Sequence, residues 1–496
     1  MKEIIDYASS PSEQRQLFLD DEVIEGVTNL RRTLNQPTRC GPLLRPPGEP
    51  FALETWDPPF WNQDKGLWEW WYLGHHTASP HGKHQATAKA MVHYARSADG
   101  VHWETPNLNL YSYRGSAENN IIVDPQLDPL RLYHMVHDPA ESDSERRYKA
   151  LFGPSGRKPA ASPDGKTWTF LDVPPIPSSD TSYLTYDTQT GQFLATVKME
   201  TQWGRSVALS VSRDFEHWDQ PELILHTDPE DSENGERRIR EVIESENYLS
   251  PPLVDDGDYQ AEIYQMAVLP YQGIYVGFPV LFNPAGTIPP PHNNFTALNQ
   301  VELTVSRDLY NWTRVADREL FMEVVPWDGI AYDTAGVYPC GSPVVRDDEI
   351  WIYYSANRFR ASNIELYGDK YRPYFKDKSA LNLAKLRLDG FVSLDSDHRG
   401  GSVVTRPFQY SGGDLTVNVD ASSEGAELRA EILDAVTLRV LQTYSAEECV
   451  PVRGDHLRAG LEWTGGRQKH LPRTLRLRFI LSGPISFYSF WISREN

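Results

Sequence analysis

The stretch Ser97-Ala98-Asp99-Gly100-Val101-His102-Trp103 decides the fold, because the chain contains four close copies of it. The other copies keep Ser, Asp and Trp at the same spacing: Ser162-Pro-Asp164-Gly165-Lys-Thr-Trp168, Ser212-Arg-Asp214-Phe-Glu-His-Trp218 and Ser306-Arg-Asp308-Leu-Tyr-Asn-Trp312. One supersecondary unit repeated at intervals of about 50 to 95 residues is typical of a radial β array, above all of a β-propeller. Because a propeller gathers the first strand of every blade around one central pocket, the search for function narrows to the polar residues that open each blade.

Each copy predicts a strand that runs into a tight turn. The runs before the third and fourth copies, Val207–Val211 and Val301–Val305, are apolar and β-branched, as strands are. In the turn, the Asp can accept hydrogen bonds from nearby backbone N–H groups. The Trp four residues later can fold back over the strand. We therefore expect four Trp side chains to be buried at the blade ends: Trp103, Trp168, Trp218 and Trp312.

Length, charge and cysteine content limit the class of protein. The chain has 496 residues, a formal net charge of −21 and 3 Cys. This length favours two domains. The negative charge argues against nucleic-acid binding, which needs a basic surface. The few scattered cysteines favour a reducing compartment over a disulfide framework.

The sequence contains no apolar segment of the length that a signal peptide or a bilayer-spanning helix needs. It therefore predicts a cytoplasmic protein that does not bind membranes, with secretion as the alternative if a leader has been removed. Its oligomeric state stays open. No P-loop or dinucleotide fingerprint is present, and we expect no cofactor.

The pattern along the chain predicts an all-β protein in two parts. Residues 1–50 form an entry segment, and residues 51–395 form a five-bladed β-propeller of four-stranded blades. From about residue 400 the pattern changes to alternating apolar and polar residues between glycine-rich turns, as in Leu415–Val419 and Leu475–Leu481. This alternation predicts a β-sandwich over residues 400–496.

Polar residues open the predicted blades in chain order: Asp57, Asn119 and Asn120, Asp180, Glu262 and Asp333. Carboxylates that converge on a propeller axis are costly to bury unless they have a purpose. Paired carboxylates are the groups that glycoside hydrolysis needs. One attacks the sugar or activates water, and the other protonates the departing oxygen.

The chain resembles the five-bladed furanosidase propellers of glycoside hydrolase families 32, 43 and 68, and bacterial proteins related to the family 32 amino-terminal domain. Three features that together span nearly the whole chain carry the resemblance: Trp56-Asp57-Pro58 before an aromatic hairpin, the repeated blade ends, and a sandwich after the propeller. The resemblance implies a glycosidase that acts on a small glycoside or oligosaccharide, such as a fructoside or an arabinoside, with carbohydrate as its partner.

The resemblance also implies which residues are catalytic. Asp57 matches the Asp-Pro core of the family 32 nucleophile motif Asn-Asp-Pro-Asn, although Trp56 and Pro59 replace the two asparagines. Asp180 has the position of the second Asp without its Arg-Asp-Pro motif, and Glu262 has the position of the acid without its Glu-Cys pair. We therefore expect Asp57 to be the nucleophile or general base and Glu262 the general acid, with Asp180 as a stabilising carboxylate.

Alternatives remain for two of these positions. Asp138, in His137-Asp138-Pro139, is the rival of Asp180, and the rivals of Glu262 are the acidic residues of a charged insertion: Glu241, Glu244 and Glu246. Substrate contacts are expected from six residues near the blade openings: Asn119, Asn120, Asp138, Asp333, Tyr264 and Trp56. A histidine group has an untidy spacing for a metal site, so we predict no metal and expect exposed side chains: His75, His76, His81 and His84.

Two other functions fit parts of the pattern. One is a non-catalytic carbohydrate-binding propeller with a lectin-like sandwich, although such a pocket has no need for carboxylates at four blade openings. The other is a sialidase-like glycosidase, because the blade ends are similar to the Asp-box; here, however, Asp99 and Gly100 are adjacent rather than one residue apart. The sugar, the linkage and the stereochemical outcome stay open.

Overall fold

A computed structural model describes residues 14–45, 52–75, 90–123, 132–153, 155–249, 259–288, 294–359, 367–465 and 471–493. Strands make up 50% of it and helices 7%, so the prediction of an all-β fold is confirmed. Four strands lie in the first 45 residues: β1 (Gln16–Leu17), β2 (Ile24–Thr28), β3 (Arg31–Leu34) and β4 (Thr38–Leu44).

The next strands form three antiparallel sheets in chain order. Sheet one has β5 (Ala52–Glu54), β6 (Phe60–Asn62), β7 (Leu67–His75), β8 (Ala90–Ser97) and β9 (Trp103–Glu104). Sheet two has β10 (Leu132–His137), β11 (Tyr148–Phe152), β12 (Lys158–Ser162) and β13 (Thr169–Phe170). Sheet three has β14 (Ser182–Asp187), β15 (Gln192–Thr201), β16 (Gly204–Ser212) and β17 (Glu222–Leu225).

Two further sheets are joined by one parallel bridge between Asn299 and Gly336. Sheet four has β18 (Glu262–Tyr271), β19 (Ile274–Ile288), β20 (Asn294–Val301), β21 (Thr304–Ser306) and β22 (Trp312–Arg314). Sheet five has β23 (Gly336–Pro339), β24 (Val344–Arg346), β25 (Glu349–Asn357) and β26 (Ser379–Arg387). Its outer strand is β4, which pairs with β26 and so brings the start of the chain to the last of the five sheets.

Hydrogen bonds connect each of these sheets to the next. Sheet one meets sheet two where Met135 donates to Asp57, and sheet two meets sheet three at His134 and Ser182. Three further bonds continue the series: Thr196 to Met266 between sheets three and four, Tyr338 to Asn299 between sheets four and five, and Leu53 to Ser379 between sheets one and five. The fifth sheet therefore contacts the first.

The repeated phrase forms the turn that was expected. In the third copy, Ser212 Oγ accepts hydrogen bonds from the N–H groups of Asp214 and Phe215, and Asp214 Oδ1 accepts from those of Glu216 and His217 at 2.9 and 2.8 Å. The other copies repeat these bonds. Side-chain oxygens of the turn thus accept hydrogen bonds from backbone N–H groups that have no strand partner.

The four Trp side chains of the repeat are half-buried, so the expectation of full burial was wrong. Trp103 and Trp312 begin β9 and β22, the outermost strands of their sheets, where a side chain has fewer neighbours than in a central strand. The indole N–H groups of Trp103, Trp218 and Trp312 donate to the carbonyl three residues earlier. These rings therefore close the turn itself.

The remaining strands form two packed sheets with strands from the start of the chain. They are β27 (Val392–Ser396), β28 (Gly401–Thr405), β29 (Phe408–Gln409), β30 (Asp414–Ala421), β31 (Glu427–Asp434), β32 (Gly454–Gly460), β33 (Thr474–Ser482) and β34 (Ile485–Ser493). One sheet contains β2, β28, β33, β29 and β31, and the other contains β1, β3, β27, β34, β30 and β32. The entry segment thus supplies strands to both parts of the fold.

A long helix, α1 (Pro229–Glu244), lies in the charged insertion, where the sequence analysis expected no helix. Asp228 caps it, with Pro229 in the first turn and Asp231 completing a reciprocal capping box. This is a recognisable start signal that the acidic composition of the segment obscured. The described residues also include 3₁₀ helices at Ser144–Arg146 and Asp369–Lys376, and a turn with positive φ at Ala316–Arg318.

Candidate active site

Asp57 lies between β5 and β6, at the contact of sheets one and two. Its side chain is only 3% exposed, and its Oδ1 accepts a hydrogen bond of 2.9 Å from the N–H of Met135. Burial raises the pKa of Asp57 well above its ordinary value, and the bond from Met135 opposes this only in part. The carboxyl group of Asp57 therefore keeps its proton to higher pH than an exposed Asp.

His134 lies beside Asp57, with Nδ1 3.9 Å from Oδ1. Its Nε2 is 2.6 Å from Ser182 Oγ, which also accepts a bond of 2.5 Å from Nε of Arg157. Arg157 is fully buried, and its NH2 group donates to the carbonyl of Ser179. Burial, together with the charge of Arg157, lowers the pKa of His134 well below its ordinary value, so this imidazole is neutral.

Asp180 precedes β14, and 64% of its side chain is exposed. Its Oδ1 accepts a bond of 2.6 Å from Nζ of Lys198, whose side chain is only 1% exposed. Burial acts to raise the pKa of Asp180, but the charge and hydrogen bond of Lys198 outweigh it, and the pKa is lowered. Asp180 is thus an ionised carboxylate at the surface of the site.

Glu262 is the first residue of β18, and its carboxylate forms an ion pair with the guanidinium of Arg205. Arg205 also lies over the ring of Phe282, 4.7 Å from its centroid. Gly204 packs directly on the Glu262 side chain, and a Cβ at this glycine would overlap it. The turn between β15 and β16 thus fixes Glu262 from sheet three.

The three carboxyl groups belong to one charged network. The charges of Arg157 and Arg205 both act on Asp180. Arg157 also binds Ser182 beside His134, and Arg205 binds Glu262. Of the residues proposed from sequence as catalytic, Asp57 lies between β5 and β6 of sheet one, Asp180 just before β14 of sheet three, and Glu262 at the start of β18 of sheet four.

Aromatic rings lie next to this network. Trp56 is buried and makes edge contacts with Tyr183 and Tyr338, at centroid distances of 6.4 and 6.3 Å. Tyr264 is half-buried, with Nζ of Lys198 3.6 Å from its ring centroid, and it stacks on Phe282. Flat rings beside carboxylates suit the apolar C–H faces and the hydroxyl groups of a sugar.

Two other acidic residues singled out from sequence have structural partners. Asp333 is bound by NH1 of Arg39, on β4, and by the hydroxyl of Tyr354 at 3.0 Å. Asp138 is buried and receives Nζ of Lys149 at 2.8 Å. It follows the last residue of β10, whereas Asp180 precedes the first residue of β14.

The two asparagines also organise the backbone. Asn119 donates to the carbonyl of Tyr111 at 2.9 Å and accepts from the N–H of Ile121 at 3.0 Å. Asn120 donates to the hydroxyl of Tyr72, and its Oδ1 lies 2.8 Å from Nδ1 of His93. Burial lowers the pKa of His93 to about 4, so the ring stays neutral in this contact.

The rivals of Glu262 lie on or just after helix α1. Glu241 is exposed and pairs with Arg237 one helical turn away. Glu244 ends the helix, and Glu246 follows it, both exposed to solvent. Surface carboxylates of this kind need no functional explanation.

Sequence reasoning missed the four cationic or imidazole side chains of the network: His134, Arg157, Lys198 and Arg205. Lys198 offered the clearest signal, because it interrupts an apolar strand, Phe193–Val197, at a position whose neighbours are buried. A charged residue within a buried strand needs a partner. That partner, Asp180, could be identified only once the strands were placed.

The described residues contain no group of three or more His, Cys, Asp or Glu side chains arranged to hold a metal ion. His75 contacts Glu54 at 2.9 Å, while His76, His81 and His84 lie outside the described residues. In the part of the chain that the structure covers, no helix is long and apolar enough to cross a bilayer.

No family model and no curated protein sequence match the chain. Among solved structures, a glycoside hydrolase matches at 14% identity over 71% of this chain and 92% of its own, with a TM-score of 0.41. An N-acetylgalactosamine deacetylase from F. plautii matches at 14% identity over 75% and 96%, with a TM-score of 0.40. A β-fructofuranosidase from Schwanniomyces occidentalis matches at 11% identity over 96% and 98%, with a TM-score of 0.38. Likenesses this distant assign the chain to no family.

Proposed function

We propose that this protein is a glycoside hydrolase whose active site is the network of Asp57, Asp180 and Glu262. We also infer that the five connected sheets are the blades of a five-bladed propeller, with the packed C-terminal sheets as its sandwich. The hydrogen bonds from each sheet to the next, and from the fifth to the first, support this arrangement.

One observation carries the proposal: the environments of Asp57 and Asp180 move the pKa values of these two carboxyl groups in opposite directions. Burial raises the pKa of Asp57, whereas Lys198 overcomes the effect of burial and lowers the pKa of Asp180. Glycoside hydrolysis needs one protonated and one ionised carboxyl group at neutral pH. The pKa shifts of Asp57 and Asp180 have the directions that such a pair needs.

These environments favour roles that differ from those expected from sequence. Asp180 is the ionised group and suits the nucleophile or general base. Asp57 has the raised pKa and so suits the general acid. Glu262, held by Arg205, is suited to accept hydrogen bonds from sugar hydroxyls. The half-buried ring of Tyr264 is suited to contact the sugar, whereas Trp56 is buried and supports the site from behind. A small glycoside or oligosaccharide, including a furanoside, remains the proposed substrate class.

The test is a screen of chromogenic furanosides and pyranosides with the wild type and with Asp57→Asn, Asp180→Asn and Glu262→Gln. We expect turnover of at least one glycoside, and a loss of about 10²- to 10⁴-fold in kcat when either Asp57 or Asp180 is replaced. For Glu262→Gln we expect mainly a rise in KM, because its proposed role is binding.

Asp219→Asn is the matched control, because Asp219 is an exposed carboxylate on sheet three that lies outside the network. It should retain wild-type turnover. Full activity in both Asp57→Asn and Asp180→Asn would show that the catalytic carboxylates lie elsewhere.

A second candidate, a non-catalytic carbohydrate-binding protein, is favoured by the burial of Asp57 and by the ion pairs of Asp180 and Glu262. A rigid binding pocket would also contain a buried carboxyl group, such as Asp57, beside carboxylates that are held in ion pairs. Isothermal titration with the same glycosides separates the two functions: binding without turnover of any glycoside supports this second candidate.

A further inference from the structure

We infer that Lys198 is a positioning residue that holds the exposed carboxylate of Asp180 in one orientation. This inference rests on the glycosidase role proposed above for Asp180. Lys198 itself is too buried to touch a substrate, because only 1% of its side chain is exposed.

The unequal burial of the two partners is the first support. The Lys198 side chain is 1% exposed and the Asp180 side chain 64%, while Nζ and Oδ1 are 2.6 Å apart. A surface ion pair normally exposes both charges and contributes little. Here the ammonium group is buried and the carboxylate is exposed. The buried Lys198 therefore fixes the position of a carboxylate that faces solvent.

The position of the ammonium group is set from two sheets. Lys198 lies in β15 of sheet three, where it pairs with Val207 of β16. Tyr264, in β18 of sheet four, places its ring 3.6 Å from Nζ. The negative face of an aromatic ring attracts a cation, most strongly when it is desolvated. Nζ is therefore held between the strand and the ring, and Asp180 follows its position.

The other charges around the pair determine how it responds to pH. Arg205 and Arg157 act on Asp180 in the same direction as Lys198, and Arg205 and Glu200 act on Lys198 in opposite directions. Burial lowers the pKa of Lys198 to about 8, although Asp180 opposes this effect. The ammonium group therefore loses its proton near pH 8, and Asp180 then loses its nearest cation.

The experiment uses Lys198→Met, which removes the charge, and Lys198→Arg, which keeps it. The pKa of Asp180 is measured by carboxyl ¹³C NMR on aspartate-labelled protein, with its resonance assigned from Asp180→Asn. We expect Lys198→Met to raise this pKa by about 1 to 3 pH units. Lys198→Arg should keep it low. With a glycoside that the enzyme turns over, the acidic limb of the kcat/KM profile should move by the same amount between the wild type and Lys198→Met.

Lys149→Met is the matched control, because Lys149 is also 1% exposed and pairs with an aspartate, Asp138, at 2.8 Å, but on sheet two. It should lower stability without changing the titration of Asp180. If Lys198→Met does not fold, the reciprocal measurement decides: ¹⁵N NMR of Lys198 should show its pKa falling below about 8 in Asp180→Asn.

The two proposals fail separately. An unchanged Asp180 titration in folded Lys198→Met, or an unchanged Lys198 titration in Asp180→Asn, overturns the positioning role. The absence of turnover for every glycoside, with the titration shifts intact, overturns the glycosidase proposal and leaves the coupling of this pair standing.

Discussion

Single residues in this site differ mainly in how they are solvated. Asp57 and Asp180 are the same side chain in the same network, but one is 3% and the other 64% exposed. Removing a carboxylate from water favours its neutral form, and a nearby ammonium group favours its charged form. These two effects, rather than the residue type, give the two carboxyl groups different chemistry.

Replacement of each residue by Asn should therefore change the pH dependence of stability with opposite sign. Because the pKa of Asp57 is raised in the folded state, its contribution to stability falls as pH rises above about 4, the unfolded value. The Tm of Asp57→Asn, relative to that of the wild type at the same pH, should accordingly rise between about pH 4 and pH 8. Asn can still accept the hydrogen bond from Met135, so this hydrogen bond remains.

For Asp180 the pKa is lowered, so its contribution is present above about pH 4 and is lost as pH falls through the folded value. The Tm of Asp180→Asn should lie below that of the wild type at neutral pH, and the difference should shrink under acid conditions. Thermal unfolding across this pH range measures both variants. A pH-independent difference for Asp57→Asn would mean that folding does not raise the pKa of Asp57.

Hairpins are the elements that connect the fold to the site. In sheet three, the hairpins β14–β15 and β15–β16 have their turns at opposite ends of β15. Gly191 lies in one turn and Gly204 in the other, with φ of +68° and +74°, a conformation that favours glycine. No atom lies within 4 Å of a Cβ placed on Gly191, whereas a Cβ on Gly204 would overlap the Glu262 carboxyl group.

Gly191→Ala and Gly204→Ala are thus a matched pair of substitutions. Both should lose about 1 to 2 kcal/mol of unfolding free energy from the left-handed backbone. Only Gly204→Ala should also displace Glu262 from Arg205 and impair glycoside binding. Urea unfolding and ligand titration of both variants test this; equal effects on binding would show that Glu262 can move aside at no cost.

Across the whole molecule, a buried polar cluster joins the five sheets to the C-terminal pair. Asp389 is fully buried, and Ser489 of β34 donates to it at 2.6 Å. Arg15, near the start of the chain, donates to it at 2.8 Å and to the hydroxyl of Tyr271 at 3.1 Å. A second ion pair between the two parts, Arg458 to Asp348, is exposed.

Arg15→Met should therefore destabilise the protein by about 3 to 5 kcal/mol, because it leaves the charge of Asp389 buried without its cation. Arg458→Ala should cost about 0 to 1 kcal/mol, as exposed ion pairs do. Urea unfolding followed by tryptophan fluorescence measures both losses. Equal, small losses would show that Asp389 is stabilised by its hydroxyl donors alone.

Part of this organisation could be predicted from residues close together in the chain. The four Ser-x-Asp turns form with contacts that span three residues or fewer between partners, and the alternating pattern predicted strands correctly. Asp180 and Glu262, just before β14 and at the start of β18, could be listed for the same reason. The capping signal of helix α1 was equally local and was overlooked within its acidic surroundings.

The properties of the site depended on contacts that no local pattern contains. The partners of Asp180, Glu262 and Asp57 lie 18, 57 and 78 residues away in the chain. The strand that completes sheet five, β4, lies more than 300 residues from β26. Sequence alone determined which strands and turns form, since local hydrogen bonds and side-chain alternation are sufficient for them. Only the tertiary structure decided which carboxyl group is buried and which meets a cation, because solvation and charge depend on neighbours in space.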